Sequence, residues 1–178
     1  MVKKSNSPIL TEIFYDKKSA EKAYQDAINR GYNIKEINVL MSEHTRKKYY
    51  QTPPGQQIFS DNLIEDAAIG GSLGGIIGGT IGAIAGLGAT TLLPGLGVVV
   101  GGPMVAALAG AGAGGISGGL FGAMVGWGFT EEQAKMYEKG IKSGGIVLGV
   151  NKKNKNFSLL ESDWRNIERR KEKERSKR

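Results

Sequence analysis

From Ala67 to Thr130 the chain carries no charged residue, and most of its glycine lies there. Gly70, Gly74, Gly78, Gly82 and Gly86 form one row at every fourth position, and Gly110, Gly114, Gly118, Gly122 and Gly126 form a second. The rows are equal in length and offset by forty positions, so they read as two similar helices joined by a connector. Glycine inside a helix costs about 1 kcal/mol relative to alanine in water. A helix with eight glycines between Gly70 and Gly86 therefore needs a special environment. A bilayer supplies one, because the backbone there has no water to bond. A tight helix pair supplies another, because missing side chains let backbones approach.

Length agrees with the membrane. Ala67–Gly86 would span about 30 Å as a helix, matching the hydrocarbon thickness. Met104–Trp127 is slightly longer and ends beside Trp127 and Phe129, as an interfacial anchor would. Large aliphatics are few in the first span, worth together roughly −2 to −4 kcal/mol of insertion, so packing must contribute. Helices packed along such rows cross right-handedly, near about −40°. The neighbouring glycines (Gly71, Gly75 and Gly79; Gly115 and Gly119) offer a second small-residue row. One row serves the hairpin and one another copy, which predicts a homo-oligomer. The connector Leu87–Pro103 has no charge, whereas Lys47, Lys48, Lys135, Lys139 and Lys142 lie near the outer ends. The positive-inside rule then places both termini and the flanking sequence in the cytoplasm, with membrane lipid as a partner.

The flanks are ordinary soluble sequence. Residues 9–41 read as the first half of an α/β domain: a strand at Ile9–Tyr15, then Asp16 as N-cap of a helix. Ala20, Ala23, Tyr24, Ala27 and Ile28 form that helix's apolar face, Gly31 is its stop, and Ile37, Val39 and Met41 mark a strand. The two strands are expected as parallel neighbours. Residues 42–61 are read as a linker broken by Pro53-Pro54-Gly55, with a short strand at Lys47–Gln51. Residues 62–129 are the glycine-zipper helical hairpin. Residues 130–150 are the second α/β half, where Thr130 and Gln133 form a capping box, Gly144-Gly145 stops the helix and Ile146–Val150 is a strand. The fold class is therefore α+β, a ferredoxin-like split sheet with both helices on one face, interrupted by the hairpin. Residues 151–178 are a basic charged tail, with an edge strand at Phe157–Leu160 and Asp163 capping a helix that carries Trp164 and Ile167.

No catalytic apparatus emerges. The absence of cysteine removes disulfides, thiolate metal sites and cysteine nucleophiles. His44 is the only histidine, so no histidine metal cluster or Ser/His/Asp arrangement can be drawn. Gly110, Gly112 and Gly115 match G-x-G-x-x-G, but the dinucleotide fingerprint needs a preceding strand and a crossover, where Met104–Ala109 is helix-like. The N-terminus lacks the continuous apolar run of a signal peptide. The net charge of +7 belongs to the tail, where eleven Lys/Arg face five Asp/Glu after Val150. Arg169, Arg170, Lys171 and Arg175 are expected to contact an anionic surface, since each basic residue near lipid head groups adds about 1 kcal/mol. Nucleic acid is not expected, because Glu168, Glu172 and Glu174 interrupt the charge and only Trp164 could stack on a base.

Several local motifs recur together. Phe14-Tyr15-Asp16, Ala20-Glu21-Lys22-Ala23, Gly31-Tyr32 and Ile37-Asn38-Val39-Leu40 come first. Leu93-Pro94-Gly95-Leu96-Gly97, Gly101-Gly102-Pro103, Gly128-Phe129-Thr130-Glu131-Glu132-Gln133-Ala134, Tyr137-Glu138 and Gly144-Gly145-Ile146-Val147-Leu148 follow. In that order, over roughly residues 9–150, they resemble the bacterial general stress proteins, heat-induced and low-temperature-induced small proteins with a glycine-zipper insert. The resemblance implies a stress-associated protein, often of the membrane, with no established enzyme activity, and brings no catalytic residues; no cofactor or metal residues are expected. Two further functional classes compete with that reading. One is a soluble self-assembling protein with the hairpin in an oligomer core. The other is a small-molecule module using the sheet face, for which no polar constellation is visible and no substrate is identified.

Overall fold

The computed structural model describes residues 9–50, 90–93, 97–103, 119–126 and 129–175. The first glycine row, Gly70–Gly86, lies outside them, as do Gly110, Gly114 and Gly118 of the second. Strand β1 (Ile9–Phe14) leads into α1 (Lys17–Asn29). Asp16 caps α1, accepting from the Ser19 backbone N–H at 2.9 Å and from the Ser19 hydroxyl at 2.8 Å. Gly31, at φ +86°, takes the left-handed conformation that ends the helix. Strand β2 (Asn38–Ser42) follows. The expected linker is helical at its start. The Ser42 hydroxyl accepts from the Thr45 N–H at 3.1 Å and so opens α2 (Glu43–Tyr50), which buries Thr45 and Tyr50.

The connector between the glycine rows also departs from expectation. It holds two strands, β3 (Thr90–Leu93) and β4 (Val98–Gly101), and both belong to the main sheet. The uncharged run Val98-Val99-Val100 is core strand, not a loop outside the domain. Helices α3 (Gly119–Gly126) and α4 (Glu131–Lys142) come next, and α4 starts at the expected capping box. The Thr130 hydroxyl accepts from Gln133 N–H at 3.2 Å, and the Gln133 amide oxygen accepts from Thr130 N–H at 3.1 Å. Strand β5 (Ile146–Asn151) follows, and the tail then forms one long helix, α5 (Phe157–Arg175). There is no strand at Phe157–Leu160, and Asp163 sits within α5 instead of capping it.

The five strands run in the order β1-β5-β2-β4-β3, every neighbouring pair antiparallel. β1 and β2 are thus parallel, as expected, but they are not neighbours: β5 lies between them. Likewise β2 separates β4 from β5, so two split β-α-β units interleave. Side chains alternate across the sheet. Phe14, Ile146, Met41 and Val99 lie in one cross-strand row, and Ile13, Val147, Leu40 and Val100 in the next. The first row packs against α1 and α5, with Tyr50 of α2; the second packs against α3 and α4. Helices therefore cover both faces, not one. A half-turn about the sheet normal aligns the two units, so crossovers of equal hand would share a face. Placing α1 and α4 on opposite faces gives the two crossovers opposite hands, against the usual right-handed rule. Burial of every apolar residue of β5 and β4 is the consequence of this double cover.

Helix α5 is the least expected part of the core. Leu160, Trp164 and Ile167 recur at helical spacing and are buried against α1 and β1. The Trp164 indole N–H donates to the Ala23 carbonyl at 2.9 Å, and the ring meets Phe14 edge-on at 5.9 Å. Arg30 at the end of α1 donates two bonds to Asp163, at 2.7 and 2.9 Å.

Candidate functional site

Of the glycine rows, Gly122 and Gly126 fall in α3. Leu120 and Met124 of that helix are buried in the second core, on the side facing the sheet and α4. Gly122 lies two positions from each of them, hence on the opposite side. A Cβ built at Gly122 meets nothing within 4 Å among the described residues. The glycine side of α3 is thus turned away from the domain, with half-exposed Val125 nearby. Gly102 is a contrasting case. At φ +84°, a Cβ added there would collide with the Ile37 carbonyl, so glycine serves a close backbone approach.

The basic residues of α5 separate into distinct environments. Arg165, Arg169, Arg170 and Lys173 are exposed, whereas Lys171 is half-buried and stands 4.0 Å from Asp16. Arg175 is the last residue of the helix. Arg169 and Arg170 are therefore exposed, and Lys171 faces the domain. The helix geometry also sorts the acids. Glu161 pairs with Arg165 at 2.6 Å and Asp163 with Arg30, and both are half-buried.

The domain interior holds few polar groups. Glu12 points from edge strand β1 beneath α5, between Leu10 and Phe14. Burial lifts its carboxyl from 4.5 to about 7, with the charges of Glu168 and Glu161 acting in the same sense; a hydrogen bond to the Ile13 backbone and the Arg165 guanidinium oppose them. On the other face the Tyr137 hydroxyl lies 2.9 Å from the Thr11 hydroxyl and donates to the Thr11 carbonyl at 3.1 Å. Burial pushes that phenol up to about 12. The buried hydroxyls of Tyr24 and Tyr50 have no hydrogen-bond partner among the described residues. Neither constellation combines a nucleophile, a base and an open cleft.

A groove of about 380 Å³ runs between α1 and α5, lined by Lys22, Asp26, Arg30, Asp163 and Arg170 among others. Both its acids are already held, Asp26 by Lys22 and Asp163 by Arg30. Among the described residues, helices cover both faces of the sheet. Among the described residues no group of His, Asp and Glu could hold a metal ion, and no helix is long and apolar enough to cross a membrane. His44 is exposed on α2, away from either core. The inward turn of Trp164 and the outward turn of Gly122 have sequence signals in the Leu160/Trp164/Ile167 and Leu120/Met124 spacings. The position of Glu12 under α5 has none, because it depends on a helix far along the chain. No protein family, curated protein or solved structure matches this chain.

Proposed function

We propose that the chain is a non-enzymatic, stress-associated membrane protein that assembles with copies of itself through its glycine rows. The observation that carries this is the orientation of α3. Its large apolar residues, Leu120 and Met124, are consumed by the domain core, while Gly122 lies on the opposite side with nothing against it among the described residues. A glycine face left outside the domain suits close backbone-to-backbone packing with another helix. The charge-free stretch that leads into α3 supports lipid as the surrounding medium. The interleaved split β-α-β units support reading the domain as a variant of the ferredoxin-like plan, in keeping with the general stress protein resemblance.

A specific observation favours the soluble alternative as well. β3 and β4 lie between the two rows and return the chain to the sheet, so both rows are tethered at each end to the same domain. Such tethered segments also suit the core of a soluble oligomer. Two measurements separate the readings. In crosslinking, Gly78→Leu, Gly118→Leu and Gly122→Leu are each expected to reduce oligomer size while the α/β domain keeps its unfolding transition. Unchanged oligomers in all three would defeat assembly through the rows. In fractionation, retention through high-salt and alkaline carbonate washes is expected, and a fully soluble, defined oligomer would replace the membrane reading with its alternative.

A further inference from the structure

Ser162, Arg165, Asn166, Arg169, Arg170 and Lys173 stand three and four residues apart along α5, and all are exposed. They form one outward stripe with four cations and, among the described side chains, no carboxylate. Glu161, Asp163 and Glu168, near these cations in the sequence, are half-buried at its flanks, and the side chains of Glu172 and Glu174 lie outside the described ones. The opposite side of α5, through Leu160, Trp164 and Ile167, is fixed in the core, so the stripe has a set orientation. Helix α1 alongside adds exposed Lys18 and Lys22, and Lys22 borders the same groove as Arg170. Arg169, Arg170, Lys173 and Lys18 have no ion-pair partner among the described residues.

We propose that this α1/α5 layer is a docking surface for an anionic lipid bilayer, with α5 lying flat along the head groups. Exposed cations on a broad layer complement a planar array of phosphates. Single-stranded nucleic acid fits less well, because base stacking needs accessible aromatic faces. Tyr24 and Trp164, the aromatic residues midway along these helices, are fully buried. The proposal rests on the membrane reading for its choice of partner. It adds a charge-dependent attachment and an orientation that the glycine rows do not supply.

The test is flotation of the full chain with phosphatidylcholine vesicles and with vesicles also containing phosphatidylglycerol, at low and high salt. Each cation at such a surface strengthens adsorption about fivefold. The triple variant Arg169→Gln, Arg170→Gln, Lys173→Gln should therefore partition onto anionic vesicles about a hundredfold more weakly than the parent. Its thermal melting and its partition onto phosphatidylcholine should be unchanged, and the charge-preserving triple Arg169→Lys, Arg170→Lys, Lys173→Arg should retain binding. High salt should erase the difference between parent and neutralised variant. Equal partition of those two onto anionic vesicles at low salt overturns the docking surface. If the parent nevertheless binds phosphatidylcholine in a salt-resistant way, the glycine-row reading survives that failure. If the parent binds neither vesicle, the docking surface and the membrane reading both fall. Tighter binding of single-stranded or duplex oligonucleotides than of vesicles, lost in the same variant, assigns the surface to nucleic acid and overturns the proposal.

Discussion

Glu12 sits on an edge strand with its carboxylate under α5, where ionisation is opposed by burial and by Glu168 and Glu161. A carboxyl held at about 7 in the fold and near 4.5 in the unfolded chain keeps its proton more tightly when native. The fold is then most stable below pH 4.5 with respect to this group, and loses stability as pH rises from 4.5 through 7. The loss is on the order of 3 kcal/mol, and it levels off once Glu12 is ionised in both states. In Glu12→Gln this contribution should vanish. Urea unfolding at pH 5 and pH 8 is expected to show a larger acid-side gain for the parent than for the variant. Equal pH dependence of the two proteins would mean that Glu12 is solvated. An inward-pointing acid also makes sense of its location, because charge on an edge strand discourages pairing with a foreign strand.

Whether an element was legible in the sequence tracks how local its determinants are. Asp16 and Gly31 bracket α1, and Thr130 with Gln133 opens α4, because caps are decided within one helical turn. The order of the sheet was not legible, since seating β5 between β1 and β2 depends on pairings over a hundred residues apart. Val98-Val99-Val100 looked like part of an apolar connector because a doubly buried strand and a lipid-facing segment share one composition. Helix α5 was obscured at its start by Phe157–Leu160, which reads as β-rich, and beyond Ile167 by dense charge. Its spacing of Leu160, Trp164 and Ile167 was available, and the structure uses it as core. Trp164→Ala should therefore cost about 3–5 kcal/mol, the range for removing a buried aromatic. It also leaves the Ala23 carbonyl without the indole donor. Denaturant unfolding checks this, and a loss below about 1 kcal/mol, typical of a surface site, would make α5 a dispensable tail.

At the scale of the whole molecule, the sheet constrains any membrane arrangement. β3 pairs with β4 and β4 with β2, so all three lie on one side of a bilayer. The described residues stop at Tyr50 and resume at Thr90, then stop at Pro103 and resume at Gly119. One crossing by the first glycine row would strand β3 opposite β2, and the ladder forbids that. A hairpin with its connector on the far side of the membrane, the arrangement suggested by charge alone, is thus incompatible with this sheet. On the membrane reading, each glycine-rich segment would have to begin and end on the same side of the bilayer. The absence of cysteine makes the point testable, since an introduced thiol is the only one in the protein. Pro103 lies at the end of the connector and Ser143 just before β5, and both are exposed. With a membrane-impermeant maleimide and sealed vesicles of each orientation, Pro103→Cys and Ser143→Cys should label from the same side. Labelling from opposite sides would separate β4 from β5 and contradict the shared sheet. Labelling of both from both sides, with no vesicle-bound fraction, would place the glycine rows in a soluble assembly.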